Sequence, residues 1–377
     1  MLTEEQLAVR DTARAFAERE IKPYAAEWDR AGAAPRELYR AMGAVGLMGI
    51  CVPAEYGGAE ADFVAYVLAM EEIAAADCGI SNMMAANNSP VAAAIAGHGT
   101  EAQKQAYLPG LCSGELMGAI LLTEPQAGSD AANIQTRATA SEGGYRIQGT
   151  KQFITGGATA DVGIIVAVRD REAGKRGITC FLVPTSSPGY TVTRKENKLG
   201  HRTNDTCEIA LDDLFAPEES ILGDPARGLG IALGYLSAGR IGVAAQAVGT
   251  ARAAYEAALE FAKARETFGK AIIEHQAIAF KLAEMATQIE VARQMTLHAA
   301  RLEASGEDSI TEASMAKLFA SEMSERICSE AIQIHGGYGF VNDYPVEKYY
   351  RDARVLQIYE GTSEVQKIVI SRQIARD

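Results

Sequence analysis

The sequence predicts a mainly α-helical chain with a β domain between two helical domains. Before residue 117 and after residue 227, apolar residues recur at intervals of three and four, the periodicity of amphipathic helices. Between these regions, short apolar or alternating runs are separated by turn residues, which is typical of strands. We therefore predict an N-terminal helical domain over residues 1–117, a middle β domain over 118–226 and a C-terminal helical bundle over 227–377.

The N-terminal domain opens with a helix signature. Thr3 and Gln6 have the spacing of a capping box, and the helix that they begin is expected to stop before Pro23. Further helical patterns cover Arg36–Met48, Phe63–Ala76 and Pro90–Gly97.

The middle domain contains regularly spaced strand candidates. A hairpin signal lies at Gly143-Gly144, inside the alternating run Thr136–Thr150. The other candidates are Ala119–Thr123, Gly163–Val168, Ile178–Val183, Tyr190–Arg194 and Glu208–Leu211. Such spacing predicts a small antiparallel barrel or sandwich rather than a βαβ sheet.

The C-terminal domain shows long helical stripes, which favour a packed bundle core and carry no chemistry of their own. One stripe consists of Ile241, Ala244, Val248, Ala251, Tyr255, Ala258 and Ala262. A second consists of Met315, Leu318, Met323, Ile327, Ala331 and Ile334.

Charge and targeting signals narrow the class of protein. The net charge is −13, which disfavours nucleic acid as a main partner because phosphate binding needs a basic face. The six cysteines show neither CxxC pairs nor metal spacing. Met1–Glu5 lacks the basic and apolar regions of a signal peptide, and the apolar stretch Gly228–Gly239 is too short to span a bilayer. We therefore expect a cytoplasmic protein without a membrane partner.

Common nucleotide, metal and hydrolase motifs are missing from the sequence. It contains no GxGxxG after a strand, no GxxxxGK[ST], no HExxH and no GxSxG, and its five histidines lack ligand spacing. Polar and glycine-bearing segments at predicted element junctions remain, and each alone is compatible with a turn, a helix cap or a solvated charge. They are Thr123–Asp130, Phe153–Gly157, Arg265–Gly269, His335–Gly339, Tyr350–Arg354 and Ile358–Thr362.

Taken together and in this order, these segments resemble the acyl-CoA dehydrogenase family from end to end. The resembling segments are Leu122–Pro125 with Ala127–Asp130, Lys151–Thr155, Arg265–Gly269, Gln333–Gly339, and Tyr350–Asp352 with Tyr359–Thr362. The resemblance implies a helical domain, a β domain and a four-helix bundle, assembled as a homotetramer that is a dimer of dimers. It also implies FAD as cofactor.

The family's cofactor positions carry over residue by residue. Leu122, Thr123, Phe153 and Thr155 resemble the residues around the flavin ring. Arg265, Phe268 and Gln276 resemble a set contributed by the adjacent subunit. Gln333, Gly336 and Gly337 resemble the segment along the ADP part, whereas Thr362 and Glu364 resemble positions near the phosphates. Some relatives have glutamine in place of Glu364.

The resemblance also supplies the substrate site. Glu360 resembles the base that takes the α-proton while the flavin takes the β-hydride, and Gly361 lies beside it. Ser129 and Arg240 match positions that hold coenzyme A. A minority of the family carries its base at the position of Gly239, where glycine cannot serve. Relatives often have an acid at the position of Ser237.

The function implied is dehydrogenation of a short acyl-CoA, straight-chain or branched, to the trans-2-enoyl-CoA in fatty acid or amino acid catabolism. Electrons would pass to electron-transferring flavoprotein. One alternative is a same-fold relative with different chemistry, such as a desulfinase, an acyl-CoA oxidase or a nitroalkane oxidase. Glu360 together with Arg240 favours dehydrogenation over these. A second alternative is a flavin-binding protein without dehydrogenase activity, for instance in DNA-damage response, which the net charge of −13 disfavours.

Overall fold

The computed structural model describes residues 1–375, except the side chains of Leu236 and Ser237. Its elements run from helices to strands and back to helices, which confirms the predicted fold class. The first change falls between Ser113 and Gly118, and the second between Pro217 and Gly228. We propose that the domains part at these changes, at 117/118 and 226/227.

The first region begins at the predicted capping box. The Thr3 hydroxyl accepts from the Gln6 N–H at 3.1 Å, and the Gln6 side chain accepts from the Thr3 N–H at 3.0 Å. A π-helical turn at Ala17–Ile21 extends the first helix toward Pro23. The helices are α1 (Glu4–Phe16), α2 (Ala25–Ala31), α3 (Arg36–Ala44), α4 (Phe63–Ala76), α5 (Cys78–Ala86), α6 (Ala93–His98) and α7 (Glu101–Ser113).

The middle region is a sheet. Its strands are β1 (Gly118–Leu121), β2 (Arg137–Ser141), β3 (Gly144–Thr155), β4 (Val162–Val168), β5 (Ile178–Pro184), β6 (Tyr190–Lys195) and β7 (Thr206–Pro217). The strand order is β1-β4-β2-β3-β7-β6, and β5 pairs with β4. β2 and β3 form the predicted antiparallel hairpin around Gly143, whose φ is +74°.

One feature of the sheet differs from the antiparallel expectation. β1 runs parallel to β4, and β2 also meets β4 in parallel. Parallel neighbours need a long connection, and the hairpin of β2 and β3 lies within the connection from β1 to β4. The remaining pairings are antiparallel.

The last region contains the long helices of the bundle. They are α8 (Gly228–Ala264), α9 (Gln276–Ser305), α10 (Ile310–His335), α11 (Val346–Ala353) and α12 (Ser363–Ile374), with a short ribbon of β8 (Glu266–Thr267) and β9 (Lys270–Ala271). α4 from the first region also packs on α8. Gly249 permits this close approach, because a Cβ there would lie 2.2 Å from the backbone oxygen of Glu71.

Among the described residues, α8 is the one helix with the length and apolar composition of a membrane span. Its most apolar 18-residue stretch is 62% buried inside the structure. Core helices of globular proteins have these same properties, so the helix is weak support for a membrane protein.

A buried ionic cluster joins the three regions. Lys348 Nζ lies 2.8 Å from Asp77 Oδ2 and 2.6 Å from Asp352 Oδ2. Asp77 also accepts from the Thr203 hydroxyl at 2.6 Å, and Asp352 accepts from the His201 N–H at 2.6 Å. These five residues, named here the Lys348 cluster, hold α5, α11 and the loop between β6 and β7 against one another.

Candidate functional site

Glu360 lies on a tight turn between two helices. The chain passes from a 3₁₀ turn at Arg354–Gln357 through residues 358–362 into α12. The φ angles of Glu360 and Gly361 are +53° and +89°, both in the left-handed region. A non-glycine residue adopts this conformation at a cost in free energy that surrounding contacts must offset. Such strain is common where a side chain is aimed at a ligand.

The Glu360 carboxyl group faces α8. A Cβ added to Gly239 would lie 2.9 Å from Glu360 Oε2, so the missing side chain there makes room for the carboxyl. Glu360 Oε2 is buried and has no hydrogen-bond partner among the described residues. Burial raises the pKa of Glu360 to about 7, although Arg240 and Lys317 nearby oppose the rise. A carboxyl with this pKa can exchange a proton near neutral pH.

Tyr359, the residue before Glu360, is anchored by Gln246 and His201, and Ser81 supports Gln246. The Tyr359 hydroxyl donates to Gln246 Oε1 at 2.7 Å, and Gln246 in turn donates to Ser81 Oγ at 3.0 Å. The His201 ring meets the Tyr359 ring edge to face, with centroids 6.0 Å apart. Contacts from α8, α5 and the β6–β7 loop therefore fix where the turn begins.

The predicted flavin-ring residues come from the ends of β1 and β3. Leu122 is buried directly after β1, and the Gln152 N–H donates to the Thr123 carbonyl at 2.9 Å. Thr155 ends β3, and its hydroxyl accepts from Asn82 at 3.5 Å. Phe153 has a φ of +58° and is 63% exposed. An exposed aromatic in a strained conformation is a surface that a planar ligand would cover.

A buried ion pair holds the end of β1 in place. Lys151 Nζ donates to Glu124 Oε1 at 2.8 Å, to the Leu122 carbonyl at 3.1 Å and to the Val166 carbonyl at 2.7 Å. Burial opposes ionisation of Glu124, yet Lys151 and hydrogen bonds from residues 135–136 lower its pKa to about 2. The pair therefore ties β1, β3 and β4 together beside Thr123.

One loop of the β domain contacts both the end of β3, which carries the predicted flavin-ring residues, and the turn that carries Glu360. The Gly156 N–H, just beyond Thr155, donates to the Asp205 carbonyl at 3.0 Å. The same loop, residues 196–205, carries His201 against Tyr359. A single connection between β6 and β7 therefore links the end of β3 to the turn that bears the candidate base.

A second set of predicted residues lines a separate cavity of about 620 Å³. Arg265, Phe268, Gly336 and Gly337 all lie on its wall. Arg265 stacks over the Tyr338 ring at 5.7 Å, and Phe268 is 96% exposed with a φ of +53°. Added Cβ atoms at both glycines would meet nothing within 4 Å, so their backbone is open to a ligand.

Other predicted cofactor residues lie outside this cavity wall. Gln276 begins α9 and Gln333 lies in the last turn of α10, and both are exposed. Thr362 caps α12, where its hydroxyl accepts from the Val365 N–H at 3.3 Å. Glu364 is exposed, and its carboxyl accepts hydrogen bonds from the Glu364 backbone N–H and from the Thr362 side chain, which lower its pKa. The helix N-terminus behind Thr362 suits an anion such as a phosphate.

The predicted coenzyme A residues occupy different environments. Ser129 is exposed in the loop after β1. Arg240 is partly buried on α8, where one guanidinium nitrogen donates to Ser314 Oγ at 3.3 Å and its Nε has no partner among the described residues. The Ser237 side chain, where the sequence departs from the family pattern, lies outside the described residues.

Sequence reasoning missed several residues at this site. Lys317 and Gln366 are fully buried beside the Glu360 turn, and Asn82 contacts Thr155. The sequence does contain an indication of Lys317, because this residue belongs to a polar stripe with helical spacing that is buried on α10. That stripe is Ser314, Lys317, Ser321 and Ser324.

Three family models match the chain in succession. They are described as acyl-CoA dehydrogenase N-terminal domain over residues 3–115, middle domain over 119–214 and C-terminal domain over 226–375. The "Acyl-CoA dehydrogenase, short-chain specific" of Clostridium acetobutylicum is 43% identical over 376 residues, which is 100% of this chain and 99% of that protein.

Two solved structures are similar along the whole chain. Butyryl-CoA dehydrogenase from Megasphaera elsdenii has a TM-score of 0.97 and 41% identity, over 100% of this chain and 99% of that one. A chain from work described as "Electron transferring flavoprotein of Acidaminococcus fermentans: Towards a mechanism of flavin-based electron bifurcation" has a TM-score of 0.98 and 43% identity, with the same coverage.

Proposed function

We propose that this chain, which belongs to the acyl-CoA dehydrogenase family and is an oxidoreductase acting on acyl-CoA, converts a short acyl-CoA to the trans-2-enoyl-CoA. Glu360 is proposed to act as the base. The observation that carries this proposal is the Glu360 carboxyl. It is held opposite Gly239, its Oε2 has no hydrogen-bond partner within the residues that the structure describes, and burial raises its pKa to about 7.

Glu360 takes a proton from the carbon next to the thioester carbonyl. An ordinary carboxylate is a weak base for such a proton, and a substrate that expels water would raise the pKa of Glu360 further. Negative charge then develops on the thioester oxygen, where the Glu360 backbone N–H is proposed to donate. One such oriented donor contributes about 3 kcal/mol to transition-state stabilisation in enzymes.

FAD is the cofactor that the chain's residues would hold. When bound, it supplies the acceptor for the hydride that leaves the β-carbon. Leu122, Thr123, Phe153 and Thr155 would surround its ring, and Thr362 and Glu364 would lie near its phosphates. The exposed Phe153 face and the open backbone at Gly336 and Gly337 fit a large planar ligand with an anionic tail.

The substrate is proposed to be a short acyl-CoA, straight-chain or with a small branch. The short-chain specific and butyryl-CoA enzymes among the relatives support this size class. Ser129 and Arg240 are the candidates to hold the coenzyme A part, and Gly361 lets the thioester approach the backbone. Gly239 cannot replace Glu360 as base, because it has no side chain.

A homotetramer is proposed because part of the cofactor set faces outward. Arg265, Phe268 and Gln276 are exposed in the single chain, and with Gln333 they would contact FAD bound to an adjacent subunit. Cofactor binding and assembly would then be linked. Electrons are proposed to pass to electron-transferring flavoprotein in the cytoplasm.

The test is anaerobic bleaching of the visible flavin band by acyl-CoAs from propionyl to palmitoyl, including isobutyryl and 2-methylbutyryl. We expect rapid bleaching by butyryl-CoA or another short chain and slow bleaching by long ones. A flavin-loaded protein that no acyl-CoA bleaches would contradict the proposal and favour a desulfinase-like or non-dehydrogenating relative. Oxygen consumption during turnover would indicate an oxidase instead.

The bridging role of Arg265 has its own test. We expect Arg265→Ala to weaken FAD retention and tetramer stability together, measured by flavin content and by sedimentation. A stable tetramer with full flavin content would contradict the adjacent-subunit assignment.

A further inference from the structure

Lys317 is a buried cation to which the proposed reaction assigns no role. It lies on α10 with 0% exposure, and its Nζ donates to the Gly361 carbonyl at 2.7 Å. Within residues 1–375 it forms no ion pair, unlike Lys151 and Lys348. Burying an ammonium group is costly unless it is well paired, and here the bonded partner is the carbonyl of the residue after the candidate base.

Gln366 completes a clamp on the same turn. It is fully buried on α12, and its Nε2 donates to the Glu360 carbonyl at 3.1 Å and to the Gly361 carbonyl at 2.8 Å. Lys317 on α10 and Gln366 on α12 therefore donate hydrogen bonds to two successive carbonyl groups, those of Glu360 and Gly361. The backbone N–H of Glu360 takes no part in these bonds.

The clamp explains how the turn keeps its conformation. Glu360 has a φ of +53°, and the Gly361 backbone approaches Gln366 so closely that a Cβ would lie 2.7 Å from Nε2. A strained turn persists only when contacts from outside hold it. Those contacts come from Lys317 and Gln366.

Lys317 also belongs to the charged surroundings of Glu360. The cations that act on Glu360 are Arg240 from α8 and Lys317 from α10. The negative charge of Glu360 in turn helps to raise the pKa of two buried phenols, Tyr66 on α4 and Tyr359 in the turn itself, although burial is the larger cause. Burial lowers the pKa of Lys317 to about 8 and Arg240 also lowers it, whereas Glu360, Glu364 and Glu322 oppose this shift, so the ammonium form predominates at neutral pH. In the described structure, Arg240 bonds to Ser314 and Lys317 to the Gly361 carbonyl and neither bonds to the Glu360 carboxyl, so both favour its ionised form without occupying its oxygens.

We infer that Lys317 is a positioning residue for the proposed dehydrogenation. Its ammonium group fixes the Gly361 carbonyl, so that the turn aims the Glu360 carboxylate at the substrate and leaves the Glu360 N–H for the thioester oxygen. Its positive charge also favours the ionised base. This inference rests on the proposed function, in which Glu360 is the base.

Two substitutions separate the hydrogen bond from the charge. Lys317→Met keeps the length of the side chain and removes both donor and charge. Lys317→Gln removes the charge and keeps a donor for the carbonyl. Lys281→Met is the matched control, since Lys281 is a lysine on α9 that pairs with Glu330.

The first readout is the limiting rate of anaerobic flavin reduction by butyryl-CoA across pH. We expect Lys317→Met to lower this rate about 10²-fold, as a misplaced catalytic group does, while the substrate dissociation constant changes less than about threefold. The flavin of Lys317→Gln should be reduced about tenfold faster than that of Lys317→Met. In both variants the pH midpoint should move upward, because a carboxylate that loses a nearby cation binds its proton more tightly.

The second readout needs no turnover. The infrared carbonyl band of the protonated Glu360 carboxyl is identified by its loss in Glu360→Gln, and its titration gives the midpoint directly. An upward shift in Lys317→Met, with Lys281→Met unchanged, supports the action of Lys317 on the Glu360 carboxyl. If the shift is present but no acyl-CoA reduces the wild-type flavin, the proposed reaction is contradicted while the contact between Lys317 and the Glu360 turn is supported. If Lys317→Met does not fold, Lys317→Gln is titrated in its place.

Either of two results would overturn the inference. One is a folded Lys317→Met protein with the wild-type reduction rate and midpoint. The other is an unshifted infrared midpoint in Lys317→Gln, which would show that the lysine serves only the packing of α10 against α12.

Discussion

The Glu360 turn and the Lys348 cluster bury charged groups in opposite ways. Lys348 lies between two carboxylates at 2.6 and 2.8 Å, and each carboxylate accepts a further hydrogen bond. Although burial opposes its charge, Asp352 and Asp77 raise the pKa of Lys348 well above its usual value. Glu360 has two cations nearby, but its Oε2 has no hydrogen bond from the described part of the chain, and its pKa rises to about 7.

The degree to which a buried charge is compensated determines whether it serves stability or chemistry. A buried charge with full compensation keeps its protonation state over a wide pH range and joins elements of the fold. A buried carboxyl with partial compensation has nearly equal access to both protonation states at neutral pH, as proton transfer requires. Substitutions in the Lys348 cluster should therefore affect stability, and those around Glu360 should affect activity.

The largest expected effect is on activity, from Glu360→Gln. The amide fits the same space and cannot take a proton, so we expect flavin reduction by acyl-CoA to slow about 10⁴-fold. FAD content and acyl-CoA binding should stay near wild type. Stopped-flow reduction with the best substrate measures this, and a normal rate would remove Glu360 as the base.

The next effect is on stability, from Lys348→Met. Removing the cation leaves the buried Asp77 and Asp352 carboxylates without a positive partner, which should lower the free energy of unfolding by about 3–5 kcal/mol. Chemical denaturation followed by circular dichroism measures the change. The control Lys281→Met, which breaks a partly exposed pair with Glu330, should cost less than about 1 kcal/mol. Equal losses in the two variants would mean that the cluster contributes no more than a surface pair.

A methyl group on α8 should reduce activity by an intermediate amount. Gly239→Ala would place its Cβ against Glu360 Oε2 and displace the carboxyl, which should lower the reduction rate about 10²-fold. Gly234→Ala is the control, because a Cβ there meets no atom of the described residues within 4 Å. The comparison fails if both alanine variants reduce at the same rate.

The smallest effect comes from pH. Because the base must be ionised, the second-order rate constant for flavin reduction should fall about tenfold per unit as pH drops below about 7. The pKa of Glu360 is raised in the folded state, so the stability that this group contributes is present below pH 4.5 and is lost as pH rises through about 7. Relative to Glu360→Gln, wild-type stability should decline over this interval. A flat difference would show that Glu360 is not perturbed.

The order of the regions and several local structures follow from the amino-acid sequence alone. The Thr3 and Gln6 capping box, the hairpin at Gly143 and the long helical stripes all depend on residues a few positions apart. Local hydrogen bonding and periodic burial act over such short distances, so these features are readable from the sequence. Family resemblance, rather than periodicity, directed attention to Glu360.

The environment of Glu360, by contrast, depends on how the helices pack in the folded chain. Gly239, Lys317 and Gln366 reach its turn from three helices, and no local pattern states which side chains helix packing will bring together. The Lys317 stripe indicated a buried polar face but not its partner, the Gly361 carbonyl. The pKa of Glu360 is likewise a property of packing, since it is set by burial and by cations that are distant in the sequence but close in the fold. Chemistry that depends on desolvation is therefore determined by the folded chain.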